Sequence, residues 1–247
     1  MNYLIVGASS GLGRDLAYKF AENSNDLTLI SRDERDLNAL KNDIETKFKS
    51  KVSIYSVDCS SHEKVNNFIN SNLNIFKKLD GALFPIGMIF EDDTVENKIS
   101  KTNELLQANY GVVSHMVSEL IKIFEEKNNG VIVGFGSVSA YLGREVNSGY
   151  AASKRALESL FESLAITSIK KEIKIQFYVL GYLESNMTFG RKLILPKGST
   201  NNLANIVFKN INKKYKKIYF PFWWGIISYI LKILPFVLLK QFIKIIK

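Results

Sequence analysis

Short apolar runs that alternate with helical patterns constrain this chain more than any other feature. The runs Tyr3–Val6, Leu27–Ile30, Val52–Val57, Gly81–Phe84, Val131–Phe135 and Ile173–Val179 are brief and mostly rich in β-branched residues. That is the composition of strands buried on both faces. Between them apolar residues recur at helical spacing over about 12–23, 34–48, 61–76, 102–127 and 150–170. The alternation predicts an α/β fold, a doubly wound parallel sheet with helices on both sides in three α/β/α layers. Right-handed crossovers leave few other topologies. A chain of 247 residues with 46% hydrophobic content suits one large core.

The first run leads into a glycine-rich turn, Gly7-Ala-Ser-Ser-Gly11-Leu-Gly13, which opens the first helix. Glycines permit a tight turn and close backbone approach to a pyrophosphate, and free N–H groups at a helix start attract anions. Ser9, Ser10 and Leu12 join Gly7, Gly11 and Gly13 as candidate cofactor contacts. The spacing differs from the commoner G-x-G-x-x-G pattern. At the end of the second run an acid would accept the ribose 2′-OH of NAD. Here Ser31-Arg32 stands in its place, with Arg35 nearby. A guanidinium and a hydroxyl suit a 2′-phosphate, so NADP(H) is expected in preference to NAD. The alternative is that Arg32 is a solvated charge and Asp33 turns inward. Asp58, with Cys59 beside it, ends the third run where adenine would lie. Asp58 is equally suited to cap the helix that starts near Ser60.

Tyr150-Ala-Ala-Ser-Lys154 places a phenol and an ammonium one helical turn apart, on one face. A free tyrosine titrates near ~10 and is a weak acid at neutral pH unless cations stabilise its phenolate. Lys154 supplies that charge and is expected to bond the nicotinamide ribose, and Tyr150 is a candidate cofactor contact beside it. Tyr150 then exchanges a proton with a carbonyl/alcohol oxygen. Ser137 ends the fifth run, where ligands sit in open α/β sheets, and is placed to bond the same oxygen. Asn109, in Gln107-Ala-Asn-Tyr-Gly111, is expected to hold through its amide a water that links Lys154 to solvent. Ser139 and Tyr141 are candidate substrate contacts. Each residue alone has a bland reading as cap, core or surface; their order and placement make the signal.

This set resembles the short-chain dehydrogenase/reductase family in its single-domain form of about 250 residues. The matching positions are Gly7, Gly11, Gly13, Asp58, Gly87, Asn109, Ser137, Tyr150, Lys154, Gly181 and Ser185. The resemblance covers about residues 1–190. It implies a Rossmann-type fold, NAD(P) dependence, an Asn109–Ser137–Tyr150–Lys154 catalytic set, and a homodimer or homotetramer. It also places Gly87, Gly181, Leu183 and Ser185 along the cofactor. The segment Phe84-Pro-Ile-Gly87 departs from the family's Asn-Asn-Ala-Gly, and Leu180-Gly181 from its Pro-Gly. Ser185 replaces a threonine.

Charge divides the chain. The formal net charge is +9, yet Glu184 is the last acid and 12 of the 33 Lys and Arg residues lie beyond it. Residues 1–208 are expected to form the dinucleotide-binding and catalytic domain, with 185–203 as a substrate lid. Residues 209–247 read as a basic, aromatic, amphipathic helical tail. Its longest uncharged run, Ile218–Leu231, is too short to span a bilayer. Trp223-Trp224 and the stripe Lys240, Lys244, Lys247 point to peripheral membrane contact through 218–247. The alternative is packing on its own domain or a sister subunit. The stretch is too hydrophobic for a nucleic-acid track. Met1–Val6 is too short for a secretory h-region, and one cysteine excludes an internal disulfide. A cytoplasmic protein that works at the inner face of a membrane is the expectation. His62 and His115 are far apart in sequence and lack ligand-spaced partners, so no metal is expected.

The expected activity is NADP(H)-dependent interconversion of a carbonyl and an alcohol, on a lipophilic small molecule. A nucleotide-sugar epimerase or dehydratase would need a larger substrate domain and a Gly-x-x-Gly-x-x-Gly turn. A non-catalytic NADP-binding sensor or scaffold would have no use for a tuned phenol.

Overall fold

The computed structural model describes residues 1–96, 99–143, 145–185, 188, 190, 195–235 and 237–238. Its centre is a seven-stranded sheet in the order β3-β2-β1-β4-β5-β6-β7, parallel throughout. The strands are β1 Asn2–Val6, β2 Asp26–Ser31, β3 Val52–Ser56, β4 Gly81–Phe84, β5 Gly130–Ser137, β6 Ile173–Leu180 and β7 Lys216–Phe220. Six match the apolar runs of the sequence. The helices are α1 Gly11–Glu22, α2 Glu34–Lys47, α3 His62–Ser71, α4 Leu73–Phe76, α5 Ile99–Leu106, α6 Val112–Glu126, α7 Ser148–Thr167, α8 Thr200–Asn210 and α9 Trp223–Ile233.

Two apolar layers sandwich the sheet. One face packs Leu12, Leu16 and Phe20 of α1 and Leu203 and Val207 of α8 against Ile5, Leu29 and Tyr178. The other packs Val113, Met116 and Leu120 of α6 and Leu157 and Phe161 of α7 against Leu4, Ile132 and Phe177. Central strands therefore bury both faces, and β5 is buried along its whole length. Their near-continuous apolar runs follow from that. The strand order reverses between β1 and β4, which opens a crevice at their carboxyl ends.

Three sequence expectations change. β7 pairs with β6 from Gln176↔Lys216 to Leu180↔Phe220, inside the stretch read as a tail and beyond the boundary drawn at 208. Lysines open this edge strand and its residues are only half-buried, so it lacks the signature of its neighbours. The helix expected over 102–127 is interrupted by a π turn, Gln107–Gly111. Residues 200–203, expected in the lid, form the first turn of α8 behind the Ser199 cap. Much of the remaining lid, and the Lys240–Lys247 stripe, lie outside the described residues.

Candidate active site

The glycine turn sits at the crevice. Gly7 has φ +91°, and a Cβ there would come within 2.9 Å of the Ile86 Cα. A Cβ on Gly13 would meet the Gly7 carbonyl oxygen at 2.0 Å. Both positions therefore demand glycine. Ser10 precedes α1 without a side-chain cap bond, which leaves the helix's first N–H groups open. The Leu12 side chain is buried in the core, so only its backbone faces the turn. Ser31 donates to Ser9 at 2.7 Å, which joins the second strand to the turn. A Cβ on Gly11 would lie 3.8 Å from the Ser185 Cβ, so Ser185 reaches the far lip of the same cradle. Leu183 is buried and bridges Gly198. Glycines with no room for a side chain, open helix N–H groups and free hydroxyls fit a dinucleotide's pyrophosphate.

Arg32 is exposed beyond β2, and among the described residues its guanidinium makes no ion pair. Asp33 does not turn toward the cradle. It caps α2, accepting the Asp36 N–H at 3.1 Å. Asp58 is not the cap of α3; Ser61 is. Asp58 instead accepts from the Ser60 hydroxyl at 2.7 Å and from the Ser60 N–H. The Ser60 hydroxyl bond is the main reason its carboxyl is held below the usual range. Cys59 is buried, and that burial pushes its thiol up to about 12, so only its backbone can serve a ligand.

The Phe84-Pro-Ile-Gly87 segment supports the site by a route the sequence did not reveal. Phe84 fills the core, and the Ile86 carbonyl accepts from Lys154 Nζ at 3.0 Å. The Phe135 carbonyl accepts from the same ammonium at 3.1 Å. Gly87 stands exposed beside them. Lys154 is 3% exposed, and burial lowers it to about 8. Two of its three N–H donors are used, leaving one for a ligand. Its nitrogen is 5.9 Å from the Tyr150 ring centroid. Ser137 ends β5, and its oxygen accepts the Ser139 N–H at 3.2 Å, starting the 3₁₀ turn Val138–Tyr141. Among the described residues its own O–H donates to no side chain or carbonyl.

Asn109 is fully buried, and its amide is committed elsewhere than expected. It accepts the Met88 N–H at 2.7 Å and donates to the Met88 carbonyl at 2.9 Å and to Ser153 at 3.0 Å. It therefore pins the π turn to the loop after β4 and to α7, with both of its N–H donors used and its oxygen holding one bond. Tyr141 is buried, and its hydroxyl donates to Glu158 at 2.7 Å, so that hydroxyl is engaged within the protein. Ser139 is half-buried. Gly181 carries the α9 indole of Trp224 so closely that a Cβ would meet Nε1 at 1.9 Å.

Sequence reasoning missed Asp93. It is 1% exposed and its carboxylate accepts the N–H groups of Gly149 at 2.9 Å and Tyr150 at 2.8 Å. A negative charge at this helix N-terminus complements the backbone dipole. His62 and His115, distant in sequence, stack at 6.1 Å between ring centroids. A recess of about 520 Å³ is lined by Ser60, His62, Asn103, Gln107 and Tyr110, and neither Tyr150 nor Lys154 lines it.

The family model for short chain dehydrogenases matches residues 2–192. The "11-beta-hydroxysteroid dehydrogenase-like 2" of Arabidopsis thaliana is 30% identical over 231 residues, covering 89% of this chain and 73% of that protein. The "11-beta-hydroxysteroid dehydrogenase A" of Arachis hypogaea is 27% identical, covering 93% of this chain and 70% of that protein. Among solved structures, a short-chain dehydrogenase from Sphingobium yanoikuyae in complex with NADPH superposes with a TM-score of 0.80 at 20% identity, covering 89% and 87% of the two chains. At that identity the likeness concerns the fold.

Proposed function

Because this chain belongs to the short-chain dehydrogenase family of NAD(P)-using oxidoreductases, we propose that it reduces a lipophilic ketone with NADPH, or runs the reverse oxidation. The observation that carries the reading is the buried Lys154 ammonium, held by the Ile86 and Phe135 carbonyls one turn from Tyr150. Bound in the cradle, the cofactor would supply or accept the hydride. Gly7, Ser9, Ser10, Gly11 and Gly13 would hold its pyrophosphate. Ser31 and Arg32 would face the 2′-phosphate, and Asp58 the adenine.

Ser137 donates its O–H to the substrate oxygen and orients it. Tyr150 gives that oxygen a proton as the carbonyl is reduced, or takes one from the alcohol. Lys154 stabilises the phenolate left behind and uses its remaining N–H on the ribose. Asn109 and Asp93 keep the two helices in register. The indole of Trp224 against Gly181 and the apolar α9 beside the Ser137 turn support a bulky, apolar substrate. The hydroxysteroid dehydrogenases named among the relatives point the same way. NADPH consumption with cyclohexanone, decalone and a ketosteroid tests the reading. Turnover that rises with apolar bulk supports it, and tight NADPH binding without any turnover contradicts it.

A second part of the proposal is contact with an anionic bilayer. Phe222, Ile226, Tyr229, Ile230 and Ile233 are exposed on one side of α9, while Trp224 and Ser228 are buried on the other. Phe222 is 76% exposed. No Asp or Glu follows Glu184, so the segment that carries this apolar face has lysines and no acidic side chain of its own. No described helix is long and apolar enough to cross a membrane. A homodimer or homotetramer completes the proposal, as in the family; light scattering measures it.

A further inference from the structure

Outside the cofactor cleft, one buried carboxylate gathers more charged and polar partners than its surroundings explain. Glu158 lies on α7, one helical turn beyond Lys154, and is 4% exposed. Its Oε1 accepts the Tyr141 hydroxyl at 2.7 Å and the Lys217 ammonium at 2.5 Å. Lys217 comes from β7 and also bonds Glu162 at 2.8 Å. Lys232 of α9 lies 3.8 Å from the same oxygen, and its nitrogen is 4.2 Å from the Tyr141 ring centroid. The Tyr219 hydroxyl is 3.3 Å from that of Tyr141.

Four segments therefore meet at one oxygen. They are the turn that follows Ser137, the helix that carries Tyr150 and Lys154, the edge strand, and α9. Tyr141 is four residues from Ser137, and Glu158 is four residues from Lys154. The bond between them ties the two arms of the reacting cluster together one step behind the chemistry.

Stability alone accounts poorly for this arrangement. Desolvation offsets much of the attraction in a buried ion pair, and apolar residues of similar volume often hold elements together as well. Among the described residues Glu158 Oε2 is also buried without a partner, an added cost. An apolar cluster would lack direction, however, and a short hydroxyl-to-carboxylate bond has it. Burial and the bond to Glu158 push the Tyr141 phenol up, so it stays a donor. Burial lowers Lys217, but its bonds to Glu158 and Glu162 outweigh that and leave it raised and charged.

We propose that Glu158 is a positioning residue: through Tyr141 it sets the Ser137 turn against the Tyr150–Lys154 helix, with Lys217 and Lys232 of the C-terminal segment as counter-charges. The proposal rests on the reading of Ser137 and Tyr150 as the groups that handle the carbonyl. β7 and α9 then serve as part of the enzyme's frame, since both contribute to the anchor.

The test uses the full chain, NADPH and decalone. Tyr141→Phe removes the bond and should lower kcat by about tenfold to hundredfold, the scale on which a small misplacement acts, with the Kd for NADPH unmoved. Glu158→Gln keeps an acceptor for the hydroxyl but loses the ion pairs. It should lose less kcat than Tyr141→Phe and more thermal stability. In a Ser137→Ala background, adding Tyr141→Phe should change kcat by less than twofold, because the residue it positions is gone. Equal losses from Tyr141→Phe in both backgrounds would overturn the proposal and leave a structural cluster. So would a Glu158→Gln enzyme that loses as much kcat as Tyr141→Phe. Unchanged turnover in Ser137→Ala itself would overturn the reading of the site, and the proposal with it.

Discussion

Asp93 holds Tyr150 by its backbone: the carboxylate accepts the Tyr150 N–H at 2.8 Å and that of Gly149 at 2.9 Å. The loop after β4 thus fixes the first turn of α7, the turn that presents the proton donor. The same loop binds Asn109 through Met88 and Lys154 through Ile86. One segment therefore registers three of the four residues expected to carry the reaction.

Replacing Asp93 with alanine removes a buried helix cap. It should destabilise the fold by about 1–2 kcal/mol and lower kcat, because the Tyr150 turn loses its anchor. Thermal unfolding by circular dichroism reads the first effect. An unchanged melting temperature would show that the cap contributes nothing.

Much of this was legible in the sequence, and what was not has a common cause. The five central strands were readable because burial on both faces leaves near-continuous apolar runs, and the edge strand β3 because Val52, Ile54 and Tyr55 still form a short apolar run. β7 was not, because Lys216 and Lys217 open it and its faces are half-exposed. The cradle and the Tyr150–Lys154 pair are local patterns and were readable as such. The partners of Asn109, Tyr141 and Tyr150 are not local. Met88 lies 21 residues from Asn109, Glu158 lies 17 from Tyr141, and Asp93 lies 57 from Tyr150. No periodicity encodes such pairings; packing of the loop and helices creates them.

The cofactor reading makes a selective prediction. Arg32→Ala should reduce kcat/KM for NADPH by roughly 10–100-fold, the worth of a charge-assisted hydrogen bond, and leave NADH little affected. Steady-state kinetics with both cofactors reads this. A parallel loss with NADH would remove Arg32 from the 2′-phosphate.

Lys154 gives a pH prediction with a defined sign. Burial lowers its folded-state value to about 8 from an ordinary 10.5, so the folded chain releases that proton first as pH rises. Below about 8 the charged form is present in both states and the fold bears its desolvation. Stability therefore rises between about 8 and 10.5. Lys154→Met should stabilise the cofactor-free protein by ~1–3 kcal/mol at pH 7, with the gain shrinking across that window, while abolishing turnover. Denaturant unfolding of both proteins at several pH values measures it. A destabilised Lys154→Met variant would contradict the assignment.

The α9 face predicts binding to vesicles that contain phosphatidylserine. Ile226→Glu with Ile230→Glu should cut sedimentation with such vesicles more than tenfold, since each change puts a carboxylate into the apolar contact and against the anionic surface. Added salt should weaken the wild-type interaction. Equal partitioning of both proteins would remove the bilayer as partner.

Tyr150→Phe tests the central claim most directly. With the hydroxyl gone and the ring retained, kcat for ketone reduction should fall by roughly 10²–10⁴-fold, the contribution of a positioned general acid, while NADPH binds with unchanged Kd. Turnover that survives the substitution would contradict the account.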